Sequence, residues 1–220
     1  MGINIAIDGP AGAGKSTIAK KVAKELSFIY VDTGAMYRAM AFYLLEKGIS
    51  GDENISKACH DADISIRYEN GEQQVILNGK NVTAFLRKEE VGNMASVSSA
   101  NPEVRAHLLK LQRNLAAENN VVMDGRDIGT TILPNAEVKI FLTASAKTRA
   151  NRRYLELTEK GEACDMDEIL KDIIDRDERD MSRAVSPLKQ AEDAVLVDSS
   201  EMGIEEVVES ILSVYRQQVN

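Results

Sequence analysis

The fold class of this chain is decided by the stretch INIAIDGPAGAGKST, residues 3–17. The largely apolar run at its start ends at Asp8, which predicts a buried strand that leads into a glycine-rich loop. The loop from Gly9 to Ser16 fits the pattern G-x-x-x-x-G-K-S/T, in which backbone N–H groups point inward at phosphate oxygens. A helical pattern begins near Lys15, so the positive end of a helix faces the same anion.

Two side chains of this loop suit a nucleoside triphosphate. The Lys15 ammonium can bridge the β and γ phosphates, and the Ser16 hydroxyl can join the ligands of Mg²⁺. We therefore expect a nucleoside triphosphate with Mg²⁺ as the phosphoryl donor and Ser16 as a metal ligand. The residues expected to bind ATP are Gly9, Pro10, Ala11, Gly12, Ala13, Gly14, Lys15, Ser16 and Thr17.

The composition of the chain excludes several classes of protein. Its 220 residues suffice for one well-cored domain, and 44% hydrophobic with 28% charged residues is typical of globular proteins. The net charge of −8 argues against broad binding to nucleic acid, so an anionic ligand must be held by local cations. Apolar runs are too short to span a bilayer, and Cys59 and Cys164 lack metal-site spacing. We expect no membrane partner and a reducing, cytoplasmic location.

Apolar runs and helical patterns alternate along the rest of the chain. Runs at 28–31, 121–123, 138–142 and 194–197 predict further strands. Such alternation indicates an α/β protein with a parallel sheet that helices cover on both faces. Helices are expected near 15–26, 36–45, 89–117 with a break at 101–102, 146–160, 167–181 and 204–215.

The segment 63–83 departs from this alternation. Apolar and polar residues alternate from Ile64 to Tyr68 and again, less regularly, from Val75 to Val82. Asn-Gly pairs at 70–71 and 78–79 favour hairpin turns, because both turn positions need a positive φ. The segment therefore predicts a small, inserted antiparallel sheet of three strands.

Two polar loops follow predicted strands and belong at the carboxyl edge of the sheet, beside the phosphate loop. In DTGAMYR, residues 32–38, Arg38 can grip an acceptor phosphate or merely solvate a surface, and Thr33 can cap the next helix. In DGRDIGT, residues 124–130, Asp124 resembles a Walker B acid that supports Mg²⁺ directly or through water. The charges that follow Asp124 in this loop can serve a ligand or form a structural ion pair.

A third group of charges lies in the segment 176–183. Arg176, Asp180 and Arg183 are spaced i, i+4 and i+7, which places them on one face of one predicted helix. Such a face either lines a cleft or is simply solvated.

These motifs together favour a small kinase. The sequence has no guanine-reading N-K-x-D stretch and no ABC-type signature, and it is short for a motor or helicase. Phosphoryl transfer needs positioning and neutralisation of charge, and Arg38, Arg126 and Arg183 favour an acceptor that already carries phosphate. Two alternatives stay open: a P-loop kinase of another metabolite or nucleotide, and a nucleotide-binding regulator without turnover.

The chain resembles the bacterial cytidylate kinases of the nucleoside monophosphate kinase superfamily over nearly its whole length. The resemblance implies a three-layer P-loop fold with a five-stranded parallel sheet, in one kinase domain over 1–220. It also implies an acceptor-binding region at 33–104 that contains the inserted sheet, and a short helical lid at 150–166. The motifs that carry it are IDGPAGAGKST (7–17), DTGAMYR (32–38), DGRDIGT (124–130) and RAVSPL (183–188).

The resemblance further implies transfer of the γ-phosphoryl group of ATP to CMP or dCMP by a monomer. In the family, residues matching Ser96, Arg105 and Asp127 read cytosine, and those matching Asp180 and Arg176 hold the ribose. The expected CMP-binding residues are Thr33, Tyr37, Arg38, Ser96, Arg105, Arg126, Asp127, Arg176, Asp180 and Arg183. The expected catalytic residues are Lys15, Asp124, Arg126 and Arg183.

Overall fold

The computed structural model describes residues 2–219, which form eight strands and eight α-helices. The strands are β1 (Asn4–Asp8), β2 (Ile29–Asp32), β3 (Ile64–Glu69), β4 (Glu72–Leu77), β5 (Lys80–Asn81), β6 (Val121–Gly125), β7 (Val138–Thr143) and β8 (Val195–Asp198). The helices are α1 (Lys15–Leu26), α2 (Thr33–Glu46), α3 (Asp52–Ala58), α4 (Glu89–Ser98), α5 (Pro102–Glu118), α6 (Ala146–Glu159), α7 (Met166–Ser182) and α8 (Ile204–Val219).

The core of the protein is a five-stranded parallel sheet in the order β2-β6-β1-β7-β8, which confirms the predicted fold class. The central strand β1 is buried on both faces, as a continuous apolar run predicts. Ile5 and Ile7 pack into an apolar cluster with α1 and α8. Ala6 points to the other face and joins a cluster with α2 and α5.

The strand register brings the predicted loops to one edge. Asp8 lies beside Gly125, and Asp32 lies beside Asp124, at the carboxyl ends of β1, β6 and β2. The phosphate loop and the two acidic loops therefore start from neighbouring points, as the sequence predicts.

The inserted antiparallel sheet is also confirmed, in the order β3-β4-β5. Both Asn-Gly pairs have the positive φ values that such turns need. They are 54° and 80° for the pair at 70–71, and 48° and 79° for the pair at 78–79. The insert is tied to the parallel sheet through Gln73. Its side chain accepts a hydrogen bond from the N–H of Asp32 (2.9 Å) and donates one to the Asp32 carbonyl (3.1 Å).

Several helix boundaries show how local sequence acts. The expected break at 101–102 separates α4 from α5, because the Asn101 side chain caps α5 and Pro102 starts it. Helix α2 begins before the expected residue 36, and its cap is Asp32 rather than Thr33. Helix α3 was not expected, since its one buried residue, Ile55, leaves no periodic pattern. No helix among residues 2–219 is long and apolar enough to cross a membrane.

Candidate active site

A cleft of about 660 Å³ opens at the carboxyl edge of the parallel sheet. The phosphate loop from Ala11 to Thr17 lines part of it, whereas Gly9 and Pro10 of the predicted ATP-binding set are not among the lining residues. Every residue of the predicted acceptor set lines the remainder, although these residues come from distant parts of the chain. The fold thus brings the predicted donor and acceptor groups into one cavity.

The phosphate loop has the backbone that the glycine pattern predicts. Gly9 has a φ of 149°, and a Cβ there would lie 1.9 Å from the Leu142 carbonyl oxygen, so a side chain has no room. The Lys15 ammonium donates to the Pro10 carbonyl (2.7 Å), and the Lys15 side chain is buried although Gly12 and Gly14 of the loop are exposed. Burial lowers the pKa of Lys15 well below its usual value, and the positive charge of Arg126 is the second cause of this shift.

Asp124 stands at the floor of the cleft, where both carboxylate oxygens are hydrogen-bonded. Ser16 Oγ donates to Oδ2 (3.1 Å), and the Tyr30 hydroxyl donates to Oδ1 (2.9 Å). Burial, reinforced by the neighbouring Asp32, raises the pKa of Asp124 to about 6. The Thr33 hydroxyl donates to the Asp124 carbonyl (2.8 Å), so Thr33 fastens α2 to β6.

The arginines and aspartates of the acceptor end form ion pairs with one another. Arg105 pairs with Asp127 in a buried contact, and Arg183 Nη2 lies 3.5 Å from the other oxygen of Asp127. Arg126 Nε donates to Asp180 (2.9 Å). Burial opposes ionisation of Asp180, but Arg126 and the other arginines around it hold its pKa below the usual value.

The acceptor set holds more arginines than carboxylates, so positive charge is left over. Among the described residues, Arg176 Nε is buried and has no hydrogen-bond partner. Burial lowers the pKa of Arg176 to about 10, and the positive charge of Arg126 is the second cause of this shift. Burial also lowers the pKa of Arg38. Partly buried cations of this kind favour a bound anion, which would offset their desolvation.

One predicted arrangement is wrong in detail. Arg183 does not share a helix face with Arg176 and Asp180, because α7 ends at Ser182 and Arg183 is extended (φ −61°, ψ 140°). The chain folds back after the helix, and the N–H of Leu188 donates to the Asp180 carbonyl (2.7 Å). This return, rather than helical periodicity, brings Arg183 into the cleft.

Sequence reasoning missed three arginines of α6 that line the cleft, Arg149, Arg152 and Arg153, of which the first two bind backbone carbonyls of other cleft residues. Arg149 is buried and donates to the Ala11 carbonyl of the phosphate loop (2.9 Å) while it forms a two-pronged pair with Asp177. Arg152 donates to the Ser199 carbonyl (2.6 Å). In the sequence these residues belong to a dense run of charge, which is more typical of a solvated helix face. The partners Ala11, Asp177 and Ser199 are more than 25 positions away, so no local pattern reveals these contacts.

Asp8 was predicted only as the end of a strand, yet it joins the two halves of the site. Its buried carboxylate accepts hydrogen bonds from the N–H groups of Ile128 (2.8 Å) and Gly129 (2.7 Å). Burial raises the pKa of Asp8 to about 6, although both N–H groups oppose the shift. The strand that feeds the phosphate loop is thereby fastened to the loop that carries Arg126 and Asp127.

The raised pKa of Asp8 predicts a pH dependence of stability. Between the ordinary value of 3.8 and about 6, the folded protein binds this proton and the unfolded chain does not. The contribution of Asp8 to the free energy of unfolding should therefore fall by about 3 kcal/mol as pH rises through this window, at about 1.4 kcal/mol per pH unit. Urea unfolding of the wild type and Asp8→Asn at pH 4 to 7 measures the contribution as the difference between the two curves. Parallel curves would contradict the prediction.

Comparison with known proteins was consistent with the geometry. The family model described as cytidylate kinase matches residues 5–217. The cytidylate kinase of Shouchella clausii is 49% identical over 98% of this chain and 97% of its own, and that of Caldicellulosiruptor bescii is 50% identical over 97% and 95%. A solved structure of an uncharacterized protein from Eubacterium ventriosum shares the fold, with 14% identity, a TM-score of 0.52 and 96% of each chain covered. The chain belongs to the cytidylate kinase family.

Proposed function

We propose that this protein transfers the γ-phosphoryl group of ATP to CMP or dCMP, giving ADP and CDP or dCDP. The observation that carries the proposal is that one cleft is lined both by the phosphate loop and by the paired arginines and aspartates. Two anionic substrates must be brought together, and the chemistry then depends on position and charge rather than on a protein nucleophile.

The donor end fits ATP with Mg²⁺. The hydroxyl of Ser16 and the carboxylate of Asp124 are hard oxygen donors 3.1 Å apart, which suits Mg²⁺. Residues 2–219 contain no cluster of three or more His, Cys, Asp or Glu side chains that could hold a metal. We therefore infer that phosphate oxygens supply much of the coordination. The bound ion would neutralise charge that develops on the β and γ phosphates.

The acceptor phosphate would be held by Arg38, Arg126 and Arg183. All three line the cleft, and a guanidinium binds phosphate oxygens with two parallel hydrogen bonds. The charge of Arg126 also lowers the pKa of Lys15, which supports a role for Arg126 between the donor and acceptor halves.

The base would be read by the buried pair of Arg105 and Asp127. The N4 amine of cytosine can donate to the Asp127 carboxylate, and Arg105 can donate to N3 or O2. The Arg105 guanidinium lies 5.4 Å from the centre of the Tyr37 ring, which holds it in place. Ser96 Oγ lies in the cleft wall without a hydrogen-bond partner among residues 2–219, so it offers a further contact.

The ribose would be held by Asp180, with Arg176 beside it. If the Asp180 carboxylate accepts from the 2′ hydroxyl, Asp180→Ala should raise KM for CMP about tenfold more than KM for dCMP. Because the substitution also releases Arg126, both acceptors should lose some activity, and the ratio between them is the measurement. Equal losses for CMP and dCMP would contradict the ribose role.

A single screen tests the proposed function. ATP is offered with CMP, dCMP, UMP, AMP or shikimate in turn, and formation of ADP is followed. We expect rapid turnover with CMP and dCMP only. Turnover of shikimate or AMP would favour another P-loop kinase, and no turnover with any acceptor would favour a regulator.

We also infer the setting in which the protein works. We place it in the cytoplasm as a monomer that acts on small molecules. Light scattering of the purified protein would test the oligomeric state. The proposed lid, 150–166, takes in most of α6, the following loop and the start of α7. Its closure over both substrates would exclude water that otherwise hydrolyses ATP.

A further inference from the structure

Tyr30 is a buried polar residue that the proposed chemistry does not use. It lies on β2, the edge strand, beside Val122 of β6, and its ring joins the apolar cluster below the sheet. Its hydroxyl nevertheless reaches Asp124 Oδ1 at 2.9 Å in a buried contact. A tyrosine placed mainly for packing would not need this hydroxyl, because phenylalanine fills the same space.

The hydrogen bond completes the support of Asp124. One carboxylate oxygen accepts from Tyr30 and the other from Ser16, while the backbone carbonyl accepts from Thr33. Without the phenol, the carboxylate would keep only the Ser16 contact and could rotate about its last bond. Ser16 is the expected metal ligand, so the orientation of Asp124 bears directly on the metal site.

Tyr30 is itself held firmly by the inserted sheet. The hydroxyl of Tyr68, on β3, donates to the Tyr30 carbonyl (3.1 Å). Two residues further along β2, Gln73 of β4 binds both backbone groups of Asp32. The backbone of β2 is thus braced on the side away from β6, which limits movement of the phenol.

We propose that Tyr30 is a positioning residue for the metal site, whose phenol orients the Asp124 carboxylate toward Ser16 and a bound Mg²⁺. This inference rests on the proposed donor site and adds a residue outside the phosphate loop and the acidic loop. Groups that orient metal-binding side chains typically contribute tenfold or more to metal affinity.

The test compares Tyr30→Phe with Tyr68→Phe, a matched control that also loses one phenol hydroxyl near β2 but none at Asp124. The probe is the β,γ-methylene analogue of ATP, which cannot be turned over. Its dissociation constant is measured by calorimetry with Mg²⁺ and again with EDTA. The Kd in EDTA divided by the Kd with Mg²⁺ reports how much the metal strengthens binding. Thermal unfolding of each variant is recorded alongside.

Tyr30→Phe should reduce this ratio about tenfold and leave binding in EDTA unchanged within about twofold. Tyr68→Phe should change the ratio by less than about twofold, because Gln73 still braces the backbone of β2 and the phenol of Tyr30 still reaches Asp124. A Tyr30→Phe ratio equal to that of the wild type would overturn the inference. So would equal weakening with Mg²⁺ and with EDTA, which indicates a structural role alone. The assay contains no acceptor, so a protein that shows the expected ratios but does not phosphorylate CMP would refute the proposed function and not the role of Tyr30.

Discussion

Replacement of Arg126 by alanine should lower kcat for CMP phosphorylation about 10³-fold, the range found for arginines that stabilise a transferring phosphoryl group. Arg126 pairs with Asp180 (2.9 Å) and lowers the pKa of both Lys15 and Arg176. We propose that this charge acts between the two substrates, where negative charge gathers during transfer.

The measurement is steady-state kinetics with ATP and CMP, together with calorimetric binding of ATP alone. Affinity for ATP should change by less than about threefold, because Arg126 lies outside the phosphate loop. Arg126→Lys keeps the charge but loses the two-pronged geometry, so it should recover only part of the rate. A loss of kcat below about tenfold, or an equal loss of ATP affinity, would contradict the assignment.

The second large effect concerns the choice of base. Wild-type kcat/KM should favour CMP over UMP by about 10³ or more, because O4 of uracil would face the Asp127 carboxylate and N3–H would face Arg105. Asp127→Asn should lower the ratio of kcat/KM for CMP to that for UMP about 10²-fold, since an amide can donate to O4. Competition between CMP and UMP in one reaction measures the ratio directly.

Asp180→Asn is the matched control for the base prediction. Asp180 is also a buried aspartate paired with an arginine in the same cleft, but the proposed binding mode assigns it to the ribose. Its substitution should leave the preference for CMP over UMP unchanged. Comparable turnover of UMP and CMP by the wild type would refute the role of Asp127 outright.

Much of the donor half could be predicted from short windows of sequence. The glycine pattern, the strand before it and the helix after it lie within residues 3–26, and the positive φ values of its glycines follow from the pattern. The same holds for the Asn-Gly turns at 70–71 and 78–79 and for the break at 101–102. In each case the chemistry of adjacent residues restricts the backbone locally.

For the proposed acceptor half, the sequence predicts the residues that line the cleft but does not predict how all of them are arranged. The resemblance to a family named its arginines and aspartates, yet periodicity placed Arg183 on a helix face that it does not share. Its position depends on the chain that turns back to the Asp180 carbonyl after α7. A helical pattern carries no information on where the chain goes once the helix has ended.

Local residue chemistry thus accounts for the phosphate loop, the hairpins and the alternation of strands and helices. The contacts that join the phosphate loop to the rest of the cleft depend instead on the tertiary structure. Asp8 meets Ile128 and Gly129, Arg149 meets Ala11, and Tyr30 meets Asp124, each across 90 or more positions of the chain. Such contacts arise when strands distant in sequence pair in register and bury polar groups together, because a buried carboxylate or guanidinium must find a partner wherever the fold supplies one.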